Sequence, residues 1–333
     1  MNDLQQLVQK AIDGLVESGA ERGLQVAVYR HGEQVAEAVA GVADPETGRR
    51  VAPDTPIYCY SVGKGATSTV AHVLVQRGLF GYDTPIVKVW PEFGAHGKEA
   101  ATVRHVLTHT VGVPGIPDHT TPEDLCDWDK MCAAIADAEP WWEPGTKIAY
   151  HAYPFGYILG EIVRRSTGKP ISQVLREEVA VPLGIADEIY FGVPESELGR
   201  LARLEDMEGS AEMLASMPDD SPFFKLGPRQ VTPTAEFGNR PDILMADIPA
   251  GSKMSARHGP NVRCVGGRGG WHPACLPRAA ARDIRRGVHR RGPDHGLPDH
   301  LGAGLLRRSP GSRPARDTER ARGRRRRRKL RMR

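Results

Sequence analysis

The chain has 333 residues, 40% of them apolar and 26% charged, enough to bury a sizeable core in one large domain or two ordinary ones, which excludes disorder along its whole length. Its net charge of +4 conceals two compositions: from His258 onward 22 Lys and Arg stand against 5 Asp and Glu, a net of +17, and before that point 23 stand against 36, a net of −13. No stretch approaches eighteen uninterrupted apolar residues, and the start Met1-Asn2-Asp3-Leu4-Gln5-Gln6 is neither basic nor apolar, which argues against a membrane span and a secretory signal and makes the cytoplasm the expected location.

Leu4, Leu7, Val8, Ala11, Ile12, Leu15 and Val16 repeat with helical period, which predicts an amphipathic helix ending near Gly19. Leu24–Tyr29 and Gln34–Val39 flank Arg30-His31-Gly32-Glu33 and read as a hairpin with a Gly-containing turn. Ser61–Gln76 is again helical, with Gly78 just past its end. From about 83 to 215 the chain reads as helix and loop, including a helix from about Tyr153 to Arg165 stopped by Gly168-Lys169-Pro170. This order predicts a sheet domain with a large helical insertion. Cys59, Cys126, Cys132, Cys264 and Cys275 form an odd set without C-x-x-C spacing, which argues against a disulfide framework or a structural zinc site.

The chemistry is carried by Tyr60-Ser61-Val62-Gly63-Lys64 at a helix start. Three residues apart, Ser61 and Lys64 share one helix face, within reach of each other. A serine hydroxyl is a poor nucleophile and a lysine at its reference pKa of about 10.4 cannot take its proton at pH 7, so burial must bias Lys64 toward the neutral amine by about 4 kcal/mol, or a second group must act as base. The second piece is Trp142-Glu143-Pro144-Gly145-Thr146-Lys147-Ile148-Ala149-Tyr150-His151-Ala152, a Pro-Gly turn leading to a tyrosine that can share a proton with Ser61 and Lys64.

With both motifs in place and Thr102-Val103-Arg104-His105-Val106-Leu107-Thr108-His109-Thr110 between them, the sequence from about Leu15 to Arg257 resembles the serine β-lactamase-like superfamily of class C β-lactamases, D-alanyl-D-alanine carboxypeptidases and family VIII carboxylesterases. The resemblance implies an α/β (α+β) β-lactamase/transpeptidase-like fold, an antiparallel sheet flanked by helices with a helical domain. It makes Ser61 the acyl-accepting nucleophile, Lys64 its proton partner, and Tyr150 the general base toward Ser61 and acid toward the leaving group. It implies no metal and no cofactor. The β-lactamase form of the tyrosine motif is Tyr-x-Asn; here Ala152 stands third, which tilts the expectation toward small carboxylic esters, with β-lactamase, D,D-peptidase and acyltransferase chemistry as alternatives.

Other residues are given structural roles. His105 and His109 lie four apart, but Val106 stands where a zincin glutamate would and no third ligand is apparent. Cys59 reads as a buried neutral thiol, and Trp141 and Trp142 read equally well as cleft lining or as core.

Past Arg257 nothing resembles the family's third motif, whose strand forms the far wall of the site and half of the oxyanion hole. Of the 22 basic residues from His258 on, 21 are Arg, and Trp271 is the one aromatic residue there. Read one base later, codons for His258–Val265 permit Met-Ala-Arg-Met-Tyr-Ala-Ala, those for Asp299–Leu305 permit Thr-Thr-Trp-Gly-Leu-Gly-Tyr, the arginine run becomes Gly, Ala and Val, and the stretch around it permits Gly-Val-Gly-Gly-Ser-Phe-Gly. The expectation is therefore a catalytic domain over 1–257 that lacks its C-terminal strands, keeping from the sheet only the hairpin, and a frameshifted, disordered tail over 258–333. The competing reading is a non-catalytic protein whose basic tail binds polyanions. On the favoured reading the partner is a small-molecule ester, with no nucleic acid or membrane; the sequence leaves the oligomeric state open.

Overall fold

A computed structural model of the chain describes residues 3–256. Helix α1 (Asp3–Glu17) buries Ile12, with Val8 and Val16 beside it, against Ala38 and Ala40 of strand β2 (Glu33–Asp44) and Leu24 and Val26 of strand β1 (Gly23–Arg30). Gln5 and Gln9 fasten it further by donating to the Glu37 and Val39 carbonyls at 2.6 and 3.0 Å. The apolar stripe is wider than the surface covering it, since Leu4, Leu7 and Leu15 remain exposed.

β1 and β2 pair antiparallel around His31 and Gly32, which have φ of 53° and 83°. Two successive positive φ values give a turn whose twist matches that of the flanking strands. Strand β3 (Arg49–Arg50) adds to β2, for a sheet ordered β1-β2-β3.

A second sheet corrects the expectation that the hairpin alone remains. Strand β4 (Ile57–Tyr58) and strand β5 (Ile189–Tyr190) both pair antiparallel with strand β6 (Lys253–Met254), so the sheet is ordered β4-β6-β5. Each strand is two residues long, too short for any alternation to register in sequence.

Helix α2 (Gly63–Gln76) follows β4 and packs on helix α6 (Pro154–Thr167), the centre of the main core. α6 is buried from Pro154 through Val163 and stops at Gly168, whose φ of 74° provides a left-handed C-cap. Three shorter helices lie between them, α3 (Val103–Leu107), α4 (Pro122–Cys126) and α5 (Trp128–Ala136), each with an N-cap side chain, Thr102, Thr121 or Asp127, accepting a backbone N–H. Helices continue past residue 215, at Pro222–Leu226, Ala235–Gly238 and Pro241–Met245. The frameshift reading of 258–333, and the question of strands after Arg257, fall outside the described residues.

Candidate active site

Ser61 sits where β4 turns into α2. Cys59 N–H donates to Ser252 O at 2.8 Å, tying the turn to the chain leading into β6. Tyr60 then takes a φ of 41°, uncommon for a residue with a side chain. It is held there by its hydroxyl donating to Thr234 O at 2.6 Å and by stacking on Tyr58 at 4.4 Å between ring centroids. Ser61 follows, exposed, in a 3₁₀ turn, Tyr60–Val62, rather than within the α-helix that the spacing predicts. The turn runs directly into α2, so Lys64 still lies one turn on. A Cβ at Gly63 would come 2.2 Å from the Gly251 carbonyl carbon, so only glycine lets the helix start press against that backbone.

Two groups converge on the Ser61 oxygen. Lys64 Nζ lies 3.2 Å from Oγ and donates to Ala250 O at 3.1 Å. The Tyr150 hydroxyl donates to the same Oγ at 2.6 Å, while Nζ lies 4.9 Å from the centre of the Tyr150 ring. Lys64 is buried, and burial pushes its ammonium down to about 7. The structure thus brings together all three residues singled out from the sequence.

The remaining sequence expectations divide. His105 N–H donates to Thr102 Oγ1 and His105 Nδ1 accepts from Thr102 N–H, a reciprocal cap of α3, while Gly145 packs against its imidazole. His109 faces elsewhere, its Nδ1 accepting from His151 N–H at 3.1 Å. Among the described residues no three His, Cys, Asp or Glu side chains gather as a metal site would need. The Cys59 thiol donates to Ile57 O and burial pushes it up to about 11, in keeping with an inert thiol. Trp141 and Trp142 do not line the cavity at Ser61; Trp142 Nε1 donates to Thr110 O and so braces the loop before Tyr150, while Trp141 is half exposed.

Beside Ser61 opens a cavity of about 260 Å³, walled by Tyr60, Tyr153, Phe223, Leu226, Val231 and Ile248, with Ala152 also on its surface. Tyr153 donates to Val231 O and Tyr60 to Thr234 O, so both hydroxyls of these cavity-lining tyrosines are satisfied. Neither the part of this wall from Phe223, Leu226 and Val231 nor the Ala250 carbonyl is apparent from sequence, because 222–233 carries no motif and a carbonyl has no residue signature.

A family model described as Beta-lactamase matches residues 8–328. The chain belongs to that family. Among similar proteins, Esterase/beta-lactamase LipL of Mycobacterium tuberculosis is 34% identical over 241 residues, 70% of this chain and 55% of that one. Esterase EstB of Burkholderia gladioli is 33% identical over 183 residues, 50% of this chain and 46% of that one. The chain therefore spans about half the length of these two relatives. A crystal structure of a family VIII carboxylesterase superposes with a TM-score of 0.69 at 31% identity, covering 84% of this chain and 74% of that one. The fold of this beta-lactamase family member is accordingly the β-lactamase/transpeptidase-like one expected. No helix among its described residues is long and apolar enough to cross a membrane.

Proposed function

We propose that this beta-lactamase family member is a serine hydrolase of small carboxylic esters, acting through a Ser61 acyl-enzyme without metal or cofactor. The observation that carries this reading is the convergence of Lys64 Nζ and the Tyr150 hydroxyl on Ser61 Oγ at the edge of an apolar cavity. Ser61 Oγ attacks the ester carbonyl as its proton passes to the Lys64 and Tyr150 pair. The tetrahedral intermediate expels the alkoxide, which takes the proton back from Tyr150. Water, giving a proton to the same pair, then attacks the acyl carbon; the Ser61 Oγ–acyl bond breaks, Oγ takes that proton back from the pair, and the acid is released. The esterase names of two relatives and of the superposed structure support the ester assignment. A fluorophosphonate probe tests it: labelling at Ser61 is expected, and salt-sensitive retention on DNA without labelling would favour a polyanion-binding protein instead.

Substrate choice rests on Ala152. Its methyl group lines the cavity where an asparagine amide would offer a donor to a β-lactam or peptide carbonyl. Turnover of p-nitrophenyl esters is therefore expected to exceed nitrocefin hydrolysis by orders of magnitude. Nitrocefin as the better substrate would establish the second reading, a β-lactamase, which the double name of the M. tuberculosis relative favours.

The pH profile follows from Lys64. Only the neutral amine can take a proton, and burial places its titration near 7. Ester kcat/KM is expected to rise with pH, reach half its plateau near pH 7 and stay level above it, until other groups titrate. A profile falling through pH 7 would contradict the role of Lys64 as base.

A further inference from the structure

Tyr150 presents a problem of positioning. It is 45% exposed and lies on a loop, residues 137–153, without regular structure, yet its hydroxyl sits 2.6 Å from Ser61 Oγ. A tyrosine on an untethered loop would sample several positions, and a misplacement of about 1 Å can cost roughly a hundredfold in rate.

The loop is tethered to residues 109–114. Trp141 N–H donates to Gly112 O, Gly145 N–H to Thr110 O, Ala149 N–H to His109 O and Ala152 N–H to Pro114 O, at 2.8, 2.9, 3.2 and 3.2 Å. Two further tethers use side chains: Trp142 Nε1 donates to Thr110 O at 3.2 Å, and His151 N–H donates to His109 Nδ1 at 3.1 Å. His109 thus accepts from the residues on both sides of Tyr150, through its carbonyl before it and through its ring after it. The ring also packs on the Tyr150 ring at 5.2 Å and stacks on Phe155 of α6 at 4.8 Å, which joins the loop to the core helix. A φ of 58° allows the His109 carbonyl and imidazole to serve both neighbours.

We infer that His109 is a positioning residue for Tyr150, clamping the peptides on either side of it so that the phenol oxygen stays on Ser61 Oγ. The inference rests on the proposed role of Tyr150. The clamp requires a lone pair on Nδ1, hence a neutral ring protonated at Nε2. Burial, aided by the Lys64 charge, pushes His109 down to about 4, so the acceptor persists at neutral pH.

Three substitutions separate the contributions. Gly tolerates the positive φ but removes ring and acceptor; Phe keeps a ring and removes the acceptor; Asn tolerates the φ and places Oδ1 where Nδ1 was. Each is to be made in the full 333-residue chain and in its frame-corrected counterpart, and assayed on p-nitrophenyl butyrate. His109→Gly and His109→Phe are expected to lower kcat by roughly ten- to a hundredfold with KM changed less than about threefold, and His109→Asn to recover most of the loss. In a Tyr150→Phe background, His109→Gly should cost less than about twofold, because nothing remains to be positioned. An Asn variant no better than Gly or Phe, or a full loss persisting in the Tyr150→Phe background, would overturn the inference while leaving the site assignment intact. Should Tyr150→Phe itself be harmless, the role of Tyr150 falls, and that of His109 with it.

Discussion

In a frame-intact form of the chain, Ser61→Ala is expected to abolish hydrolysis of p-nitrophenyl acetate and butyrate, and Lys64→Ala and Tyr150→Phe each to lower it at least a hundredfold. Ser61 Oγ is the atom on which the amine and the phenol both converge, so removing it leaves no acyl acceptor, whereas removing either partner leaves a hydroxyl with half of its proton path. On the proposed mechanism the three act as a unit, so Lys64→Ala combined with Tyr150→Phe is expected to lose little more than the worse single variant. Tyr150→Phe is the cleaner of the two partner tests. It deletes one oxygen from a half-exposed side chain, while Lys64→Ala also strips the Ala250 carbonyl of a donor in a buried setting. Near wild-type rates in Ser61→Ala would end the assignment.

The site was legible in sequence to the extent that local geometry governs it. Ser61 and Lys64 could be paired because residues three apart meet on any helical turn, and this holds although Ser61 sits in 3₁₀ geometry. Tyr150 lies 89 residues away, and no spacing rule reaches that far; it was found through the likeness of its turn to a family motif. Most tethers of the loop to 109–114 are backbone to backbone, and the two that use a side chain, at Trp142 and His109, have no spacing signature, so the role of His109 emerges only once the loop is folded. The same limit applies to the fold. The long elements α1, β1, β2, α2 and α6 announce themselves through period and stop signals, whereas β4, β5 and β6 owe their existence to residues 57, 189 and 254 meeting in space.

Restoring the other reading frame near the Arg257 codon is expected to turn a poorly soluble or inactive chain into a soluble esterase. Composition carries the argument: residues from His258 on hold 21 Arg and a single aromatic side chain, which cannot furnish the apolar face a sheet needs. In the described residues the sheet under α1 consists of one hairpin and the two-residue β3, and the β4-β6-β5 sheet adds only two-residue strands. Leu4, Leu7 and Leu15 are left facing outward, an apolar flank that favours aggregation. Catalysis should suffer independently. The family resemblance implies a strand beyond Arg257 that gives the second oxyanion donor, and losing one such donor costs about 10² to 10³ in turnover even with Ser61, Lys64 and Tyr150 in place. Expressing both forms side by side, and comparing soluble yield with p-nitrophenyl ester hydrolysis, decides the matter. Equal activity would mean that the Arg-rich segment is native and completes the site itself, in line with the family match running on to residue 328, and the frameshift would have to be abandoned.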